Sequence, residues 1–202
     1  YRADAQWVPP LRREARLVLD RRRHPFYGHS DAVFFVARRD RRVVGRIAAI
    51  EHRPYNSAHA VRQASFALFE CEEEGSEATS ALFDRVLEWA RGRRLTHIVG
   101  PKGFSAFDGY GLLVEGFERR QLMTMSNYNP AWYPRVIEGL GFTKEVDFVS
   151  YELRKDAFVM PDAVRRSAGR GATRLRVVRY HSPRALASAA QGIRQAYNRA
   201  FV

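Results

Sequence analysis

Ser65-Phe66-Ala67-Leu68-Phe69-Glu70, then the acidic Cys71-Glu72-Glu73-Glu74-Gly75, and later Thr96-His97-Ile98-Val99-Gly100, decide the fold of this chain. The first and last runs are short, apolar and bounded by polar or glycine residues, which is the pattern of strands. Between them Ala78, Leu82, Phe83, Val86, Leu87 and Ala90 recur every three or four residues, the spacing of a helix with one apolar face. Strand, acidic loop, long helix and strand make a βαβ unit, whose crossover sets the two strands parallel.

Upstream, residues 33–38 and 43–50 are rich in β-branched and aromatic residues, and Arg39-Asp40-Arg41-Arg42 joins them, so an antiparallel hairpin is expected. Before it, Leu11, Ala15, Val18 and Leu19 predict an amphipathic helix over 11–23 with an arginine-rich outer face, stopped by His24-Pro25-Phe26. Downstream, residues 101–128 are rich in glycine and aromatics and read as a long ordered loop or a short hairpin. Pro134 in a first turn and Gly141 past the end predict a short helix over 134–140. A strand covered on both faces is expected over 146–153. Residues 161–173 read as a linker or exposed loop, 175–180 as a strand, and Ser182-Pro183 as the cap and first turn of a helix over 185–201. The expected division is a first domain over 1–160, the linker, and a strand and helix over 174–202. A lone strand and helix cannot bury their own apolar faces, so three outcomes stay open for them: packing on the first domain, pairing with a second copy as a homodimer, or membership of a further domain.

With 46% hydrophobic and 12% aromatic residues over 202 positions, the chain can build a core, which excludes disorder. No apolar run approaches the roughly 20 residues a membrane span needs, and Tyr1-Arg2-Ala3-Asp4 is neither a signal nor a transit peptide. A soluble, cytoplasmic protein without a membrane partner is expected. One cysteine, Cys71, excludes an internal disulfide, and six scattered histidines give no metal-ligand spacing.

The net charge of +12 invites a nucleic-acid reading. Only Lys102, Lys144 and Lys155 are lysines, a skew toward arginine that a GC-rich genome produces without selection for phosphate contact. Residues 1–62 hold fourteen basic against six acidic residues and 152–202 eleven against three, while 63–151 hold nine against thirteen. Aromatics are not interleaved with the arginines as a single-strand binding face requires, so a nucleic-acid partner is not expected.

The order of helix, hairpin, strand, loop, long helix, parallel strand, short helix and strand resembles the GNAT superfamily of N-acyltransferases. Val43-Val44-Gly45-Arg46-Ile47, residues 81–90, and Asn129-Pro130-Ala131-Trp132-Tyr133 through Gly141-Phe142 carry the likeness, over about residues 7–153. Gly100-Pro101, Phe104-Ser105, residues 111–117 and Tyr128-Asn129-Pro130 are similar to a bacterial branch with two such domains in tandem, and in that light the strand and helix over 174–202 resemble the start of a second GNAT-like domain. The fold implied is α+β, a central mixed sheet flanked by helices. The activity implied is transfer of an acyl group from acetyl-CoA or another acyl-CoA to the amine of a small molecule or peptide. The resemblance implies that Leu68, Phe69, Gly75, Ser76, Ala78 and Asn129 contact the cofactor, and that a tyrosine protonates the departing thiolate. The family's usual tyrosine position is Ile137 here; Tyr133, one turn earlier, shares its face. Glu70, at a strand end, is placed to take a proton from an amine, and His97 reads as a core histidine.

A helix N-terminus receives a pyrophosphate through its unpaired N–H groups and its dipole. The family's pattern there, Gln/Arg-x-x-Gly-x-Gly/Ala, falls on Glu74, Glu77 and Thr79, and none of the three keeps it. Four glutamates, Glu72, Glu73, Glu74 and Glu77, surround that place. A second reading therefore stands beside the first: a GNAT-fold domain without its cofactor, serving as an interaction or scaffold module.

Overall fold

Asp40, at φ +55°, turns the chain between β1 (Asp31–Arg39) and β2 (Arg42–Glu51), which pair antiparallel from Asp31 opposite Glu51 to Arg39 opposite Arg42. In the computed structural model, residues 4–72, 74–105, 108–121, 127–171 and 176–200 are described. β3 (Gln63–Cys71) adds antiparallel to β2, and β4 (His97–Val99) adds parallel to β3, giving a mixed sheet in the order β1-β2-β3-β4. The architecture is α+β, and the βαβ unit forms as its periodicity dictates, with α3 (Glu77–Gly92) as the crossover.

The sheet is covered on both faces. Ile47, Ala49, Phe66 and Phe69 pack against Leu82, Phe83 and Val86 of α3 and against Tyr133 and Ile137 of α4 (Tyr133–Gly139). On the other face Ala32, Ala48, Ile50 and Ala67 meet Phe26 and Phe104, whose rings stand edge to face at 5.0 Å. Burial of such side chains stabilises by about 1.5–3 kcal/mol each, so these two layers hold the sheet. The ion pairs of Arg93 with Asp31 (2.5 Å) and Glu51 (3.2 Å) tie the end of α3 to the first two strands.

Several elements differ from expectation for local reasons. The first helix, α1 (Arg12–Leu19), stops early because the Asp20 carboxylate accepts the N–H groups of Arg22 (3.0 Å) and Arg23 (3.2 Å), which offers the chain a turn instead. The short helix α2 (Arg53–Ala58) was not expected; His52 Nδ1 accepts the Tyr55 N–H at its start and Pro54 sits in its first turn. His97 lies at an exposed position, its ring 2.9 Å from the Thr96 hydroxyl, and is not a core histidine.

The chain divides into two compact units, Tyr1–Phe148 and Val149–Val202. The strand expected over 146–153 is not part of the sheet: these residues make no ladder, and Phe148, Val149 and Tyr151 are 71–88% exposed. β-propensity measures fit to a neighbouring strand, and none lies beside this stretch among the described residues. Residues 161–173 contain a helix, α5 (Asp162–Gly171), where a linker or exposed loop was expected. Residues 176–180 form no ladder, so the expected strand over 175–180 is not seen there; Leu175 lies outside the described residues, as do Ala172 and Thr173 of the linker. The last helix, α6 (Pro183–Ala200), starts after Ser182 as its cap predicts, the Ser182 hydroxyl accepting the Ala185 N–H at 3.2 Å; Phe201 lies outside the described residues.

Candidate active site

Two departures from a regular sheet build the site. Arg46 faces Glu70, but Ala48 faces Ala67, so β3 carries one residue more than β2 over this span. Leu68 takes it up at φ +53°, a conformation that costs a branched side chain about 1–2 kcal/mol. Such a bulge bends the strand and re-aims the side chains beyond it, and these features gather beside functional sites. The second departure is the parting of β3 and β4. Their pairing covers only Gln63 to Ser65 against His97 to Val99. The Phe66 carbonyl still accepts the Lys102 N–H at 2.9 Å, and then the chain leaves. Gly100 permits this approach, because a Cβ there would lie 2.6 Å from the Phe66 carbonyl oxygen. Among the described residues, no strand pairs with 67–71 on that side.

α4 delivers Tyr133 to this gap. Its hydroxyl accepts the Cys71 N–H at 3.0 Å and donates to Glu70 Oε2 at 3.1 Å. Tyr133 is 2% exposed, whereas the Glu70 side chain is 33% exposed and its other oxygen lies 3.7 Å from the Arg46 guanidinium. The two residues singled out for chemistry are thus brought together, with the tyrosine buried and the carboxylate opening outward. Arg46 was not anticipated; only the register, which the bulge shifts, sets it opposite Glu70.

Glu70 opens on a cavity of about 560 Å³ in the first unit. Trp7, Val43, Pro130 and Trp132 supply apolar wall, and Glu70 and Glu72 are carboxylates on its surface. The stretch around Trp7 is fastened to the opposite wall by the Tyr128 hydroxyl, which donates to Asp4 at 2.6 Å. That bond holds the Asp4 carboxyl below the usual carboxylate range and pushes the Tyr128 phenol up. Among the described residues no three His, Cys, Asp or Glu side chains are grouped to hold a metal ion.

The residues expected at the cofactor fall in different places. Gly75, at φ +64°, has open space around it, and Ser76 stands at the N-cap position of α3 with its hydroxyl turned to Cys71 Sγ at 3.0 Å rather than to the helix. Ala78 is partly buried against the core below the helix start. Leu68 is the bulge residue, and Phe69 is buried between Phe83 and Tyr133 at ring separations of 5.1 and 4.9 Å. The Asn129 amide is spent on main chain: it accepts the Leu113 N–H at 2.7 Å and donates to the carbonyls of Leu113 and Pro130. It pins the 113 region to the start of α4.

The acidic loop is less hostile to an anion than its sequence suggests. Glu72 pairs with Arg42 at 2.8 Å and Glu74 with Arg135 at 2.8 Å; Glu73 lies outside the described residues. Thr79, in the first turn of α3, is buried, and its hydroxyl has no hydrogen-bond partner among the described residues. A buried orphan of this kind costs about 1–3 kcal/mol until something meets it.

The fold and this site define an α+β protein with a carboxylate–phenol pair where a mixed sheet parts. The chain is 29% identical over 169 residues to a protein of Caulobacter vibrioides named bacterial ceramide synthase, the match covering 83% of this chain and 43% of that one. It is 25% identical over 166 residues to protein YghO of Escherichia coli, covering 82% and 42%. The chain thus spans less than half the length of either relative. No family model matches it, and no solved structure does.

Proposed function

We propose that this chain carries the acyl-transfer site of a GNAT-type N-acyltransferase that moves a fatty acyl group from an acyl-CoA to the amine of a long-chain base. The observation that carries the reading is the hydrogen-bonded Glu70–Tyr133 pair at the parting of β3 and β4, whose carboxylate stands on the wall of a largely apolar cavity with the phenol buried behind it. The name of the Caulobacter relative supports it, because a ceramide is the amide of a fatty acid with a long-chain amino alcohol, and making that bond is N-acylation. The apolar walls suit an alkyl chain, and the Glu70 carboxylate stands where the amine at its end would be met.

The bound thioester supplies an activated acyl carbon. The acceptor reacts as the free amine, its ammonium proton having gone to solvent, and Glu70 takes the one proton the nitrogen sheds as it bonds to the acyl carbon. Tyr133 gives its hydroxyl proton to the leaving sulfur, and the Cys71 N–H stabilises the charge left on the phenol oxygen. The Glu70–Tyr133 hydrogen bond then returns to the phenol the proton the carboxylate collected, so both groups end as they began. Gly75 and the first turn of α3 would hold the phosphates, with the Thr79 hydroxyl close behind.

Incubating the protein with palmitoyl-CoA and sphinganine, with amide formation read by mass spectrometry, tests the reading. Glu70→Gln should lower kcat by about 10²–10⁴-fold; wild-type rates in that variant, or no turnover by the folded wild type, would overturn it. The departures at Glu74, Glu77 and Thr79 favour a second reading, a scaffold that has lost its cofactor. Calorimetric titration with palmitoyl-CoA separates the two, because a scaffold gives no heat.

A further inference from the structure

We propose that Arg46 is the specificity-determining residue of the acceptor site, donating to an oxygen on the carbon next to the reacting amine. The inference rests on the acyl-transfer reading, in which Glu70 faces that amine. β2 carries Arg46 opposite Glu70 on β3, and its guanidinium lies 3.7 Å from Glu70 Oε1, too long for a hydrogen bond. The other carboxylate oxygen, Oε2, accepts from Tyr133. On the same cavity wall Glu72 is paired with Arg42, and the Asp4 carboxylate accepts from Tyr128. Among the described residues that line the cavity Arg46 is the one lysine or arginine, and every lining residue belongs to the first unit.

The transfer itself calls for a carboxylate, a phenol and the Cys71 N–H, so a cation beside the base needs a different reason. A guanidinium is charged at every working pH and offers five N–H donors in a fixed fork. The ion pair with Glu70 is too long to spend one of them as a hydrogen bond. A nitrogen held at Glu70 brings the substituent on its neighbouring carbon beside Arg46, and three classes of acceptor differ there. A plain alkylamine brings only CH groups, which displace water from the guanidinium and return no acceptor. An amino acid brings a carboxylate to a wall that already holds Asp4, Glu70 and Glu72, and like charges this close repel. A vicinal amino alcohol brings a neutral oxygen, which accepts from Arg46 without adding charge. The substrate class is thus an amine with a hydroxyl on the adjacent carbon and an alkyl chain for the walls at Trp7, Val43, Pro130 and Trp132. The Arg46 side chain is 55% exposed, so water serves it when that oxygen is missing. Discrimination is then about ten- to a hundredfold, against the roughly 10⁴-fold that a site with buried donors achieves.

The test compares dodecylamine, 2-aminododecan-1-ol and 2-aminododecanoate, which share one chain length. Each is titrated calorimetrically into the full chain with CoA present, and the three then compete for palmitoyl-CoA, with the amides counted by mass spectrometry. The wild type should bind the amino alcohol about ten- to a hundredfold more tightly than either of the others and favour its amide by a similar ratio. Arg46→Met keeps the reach of the side chain and removes its donors, so the ratio of amino alcohol to dodecylamine should fall to about one. Arg46→Lys restores a charged donor without the fork and should recover part of the ratio. A residue that merely propped the strands would, when lost, weaken all three amines alike and leave the ratio standing. Circular dichroism checks that both variants fold. The proposal is overturned by equal binding of the amino alcohol and dodecylamine to the wild type, by tightest binding of the aminododecanoate, by a preference that survives in Arg46→Met, or by binding of none of the three. Acyl transfer is judged separately: a binding preference with no amide formed removes that reading and leaves recognition by Arg46, whereas amides formed without preference do the reverse.

Discussion

Tyr133 joins stability and chemistry in one hydroxyl. Replacing it with phenylalanine keeps the ring between Phe69 and Trp132 but strips the Cys71 N–H of its acceptor. A buried N–H without a partner costs about 1–3 kcal/mol, so thermal unfolding of Tyr133→Phe should begin several degrees lower, with circular dichroism at 25 °C unchanged. His52 gives a second prediction at this scale. Burial, then the neighbouring His29 and Lys102, lower its pKa below the ordinary histidine value of 6.5. A histidine whose folded pKa is depressed favours the neutral form, so its contribution is complete above the unfolded pKa and is lost as pH falls toward the folded one. The chain should therefore lose thermal stability as pH drops below about 6.5, and a His52→Gln variant should lose less. An NMR titration of the His52 ring with a midpoint above 6.5 would contradict this. Neither effect was legible in the sequence, because burial and the approach of His29 and Lys102 arise only once the second face of the sheet is packed.

At the scale of elements, the bulge on β3 and the close fit of β2 make opposite predictions for glycine. Gly45 sits where a Cβ would come within 2.9 Å of Leu82 Cδ1 and 3.0 Å of the Glu70 carbonyl. Gly45→Ala should therefore cost about 1–3 kcal/mol, from overpacking α3 against the sheet. Leu68 already occupies the left-handed region, so Leu68→Gly relieves backbone strain and should change stability by less than about 1 kcal/mol, whereas Leu68→Val should cost more than that. Denaturant unfolding of the three variants checks the order. The hairpin, the βαβ unit, α4 and α6 were legible because each depends on spacing and end signals within its own residues. The α2 turn was hidden because its cap is a histidine, an unusual residue for that role. The expectation over 146–153 went astray for the opposite reason: a run of β-formers specifies a strand only when a neighbouring edge receives it. Glu70 and Tyr133 could be named from sequence, but their mutual contact, and the place of Arg46 beside them, follow from a one-residue register shift that no local pattern announces.

For the molecule as a whole, protection should be uneven. Amides of β1, β2 and β3 and of α3 lie in ladders or helix turns above a closed core, whereas 143–154 and 176–180 carry no ladder hydrogen bonds. Hydrogen exchange read by mass spectrometry should find the sheet slow by orders of magnitude and those two stretches complete within the first seconds. The single thiol of the chain has a further use. Cys71 is 9% exposed on the cavity wall, with Ser76 at its sulfur and Tyr133 at its amide. An alkylating reagent has one cysteine to meet in this chain, and that cysteine stands on the cavity wall. The rate of Cys71 modification is thus a built-in gauge of occupancy: a ligand seated there should slow it in proportion to the fraction of sites filled, with no label to introduce and no second cysteine to confuse the count.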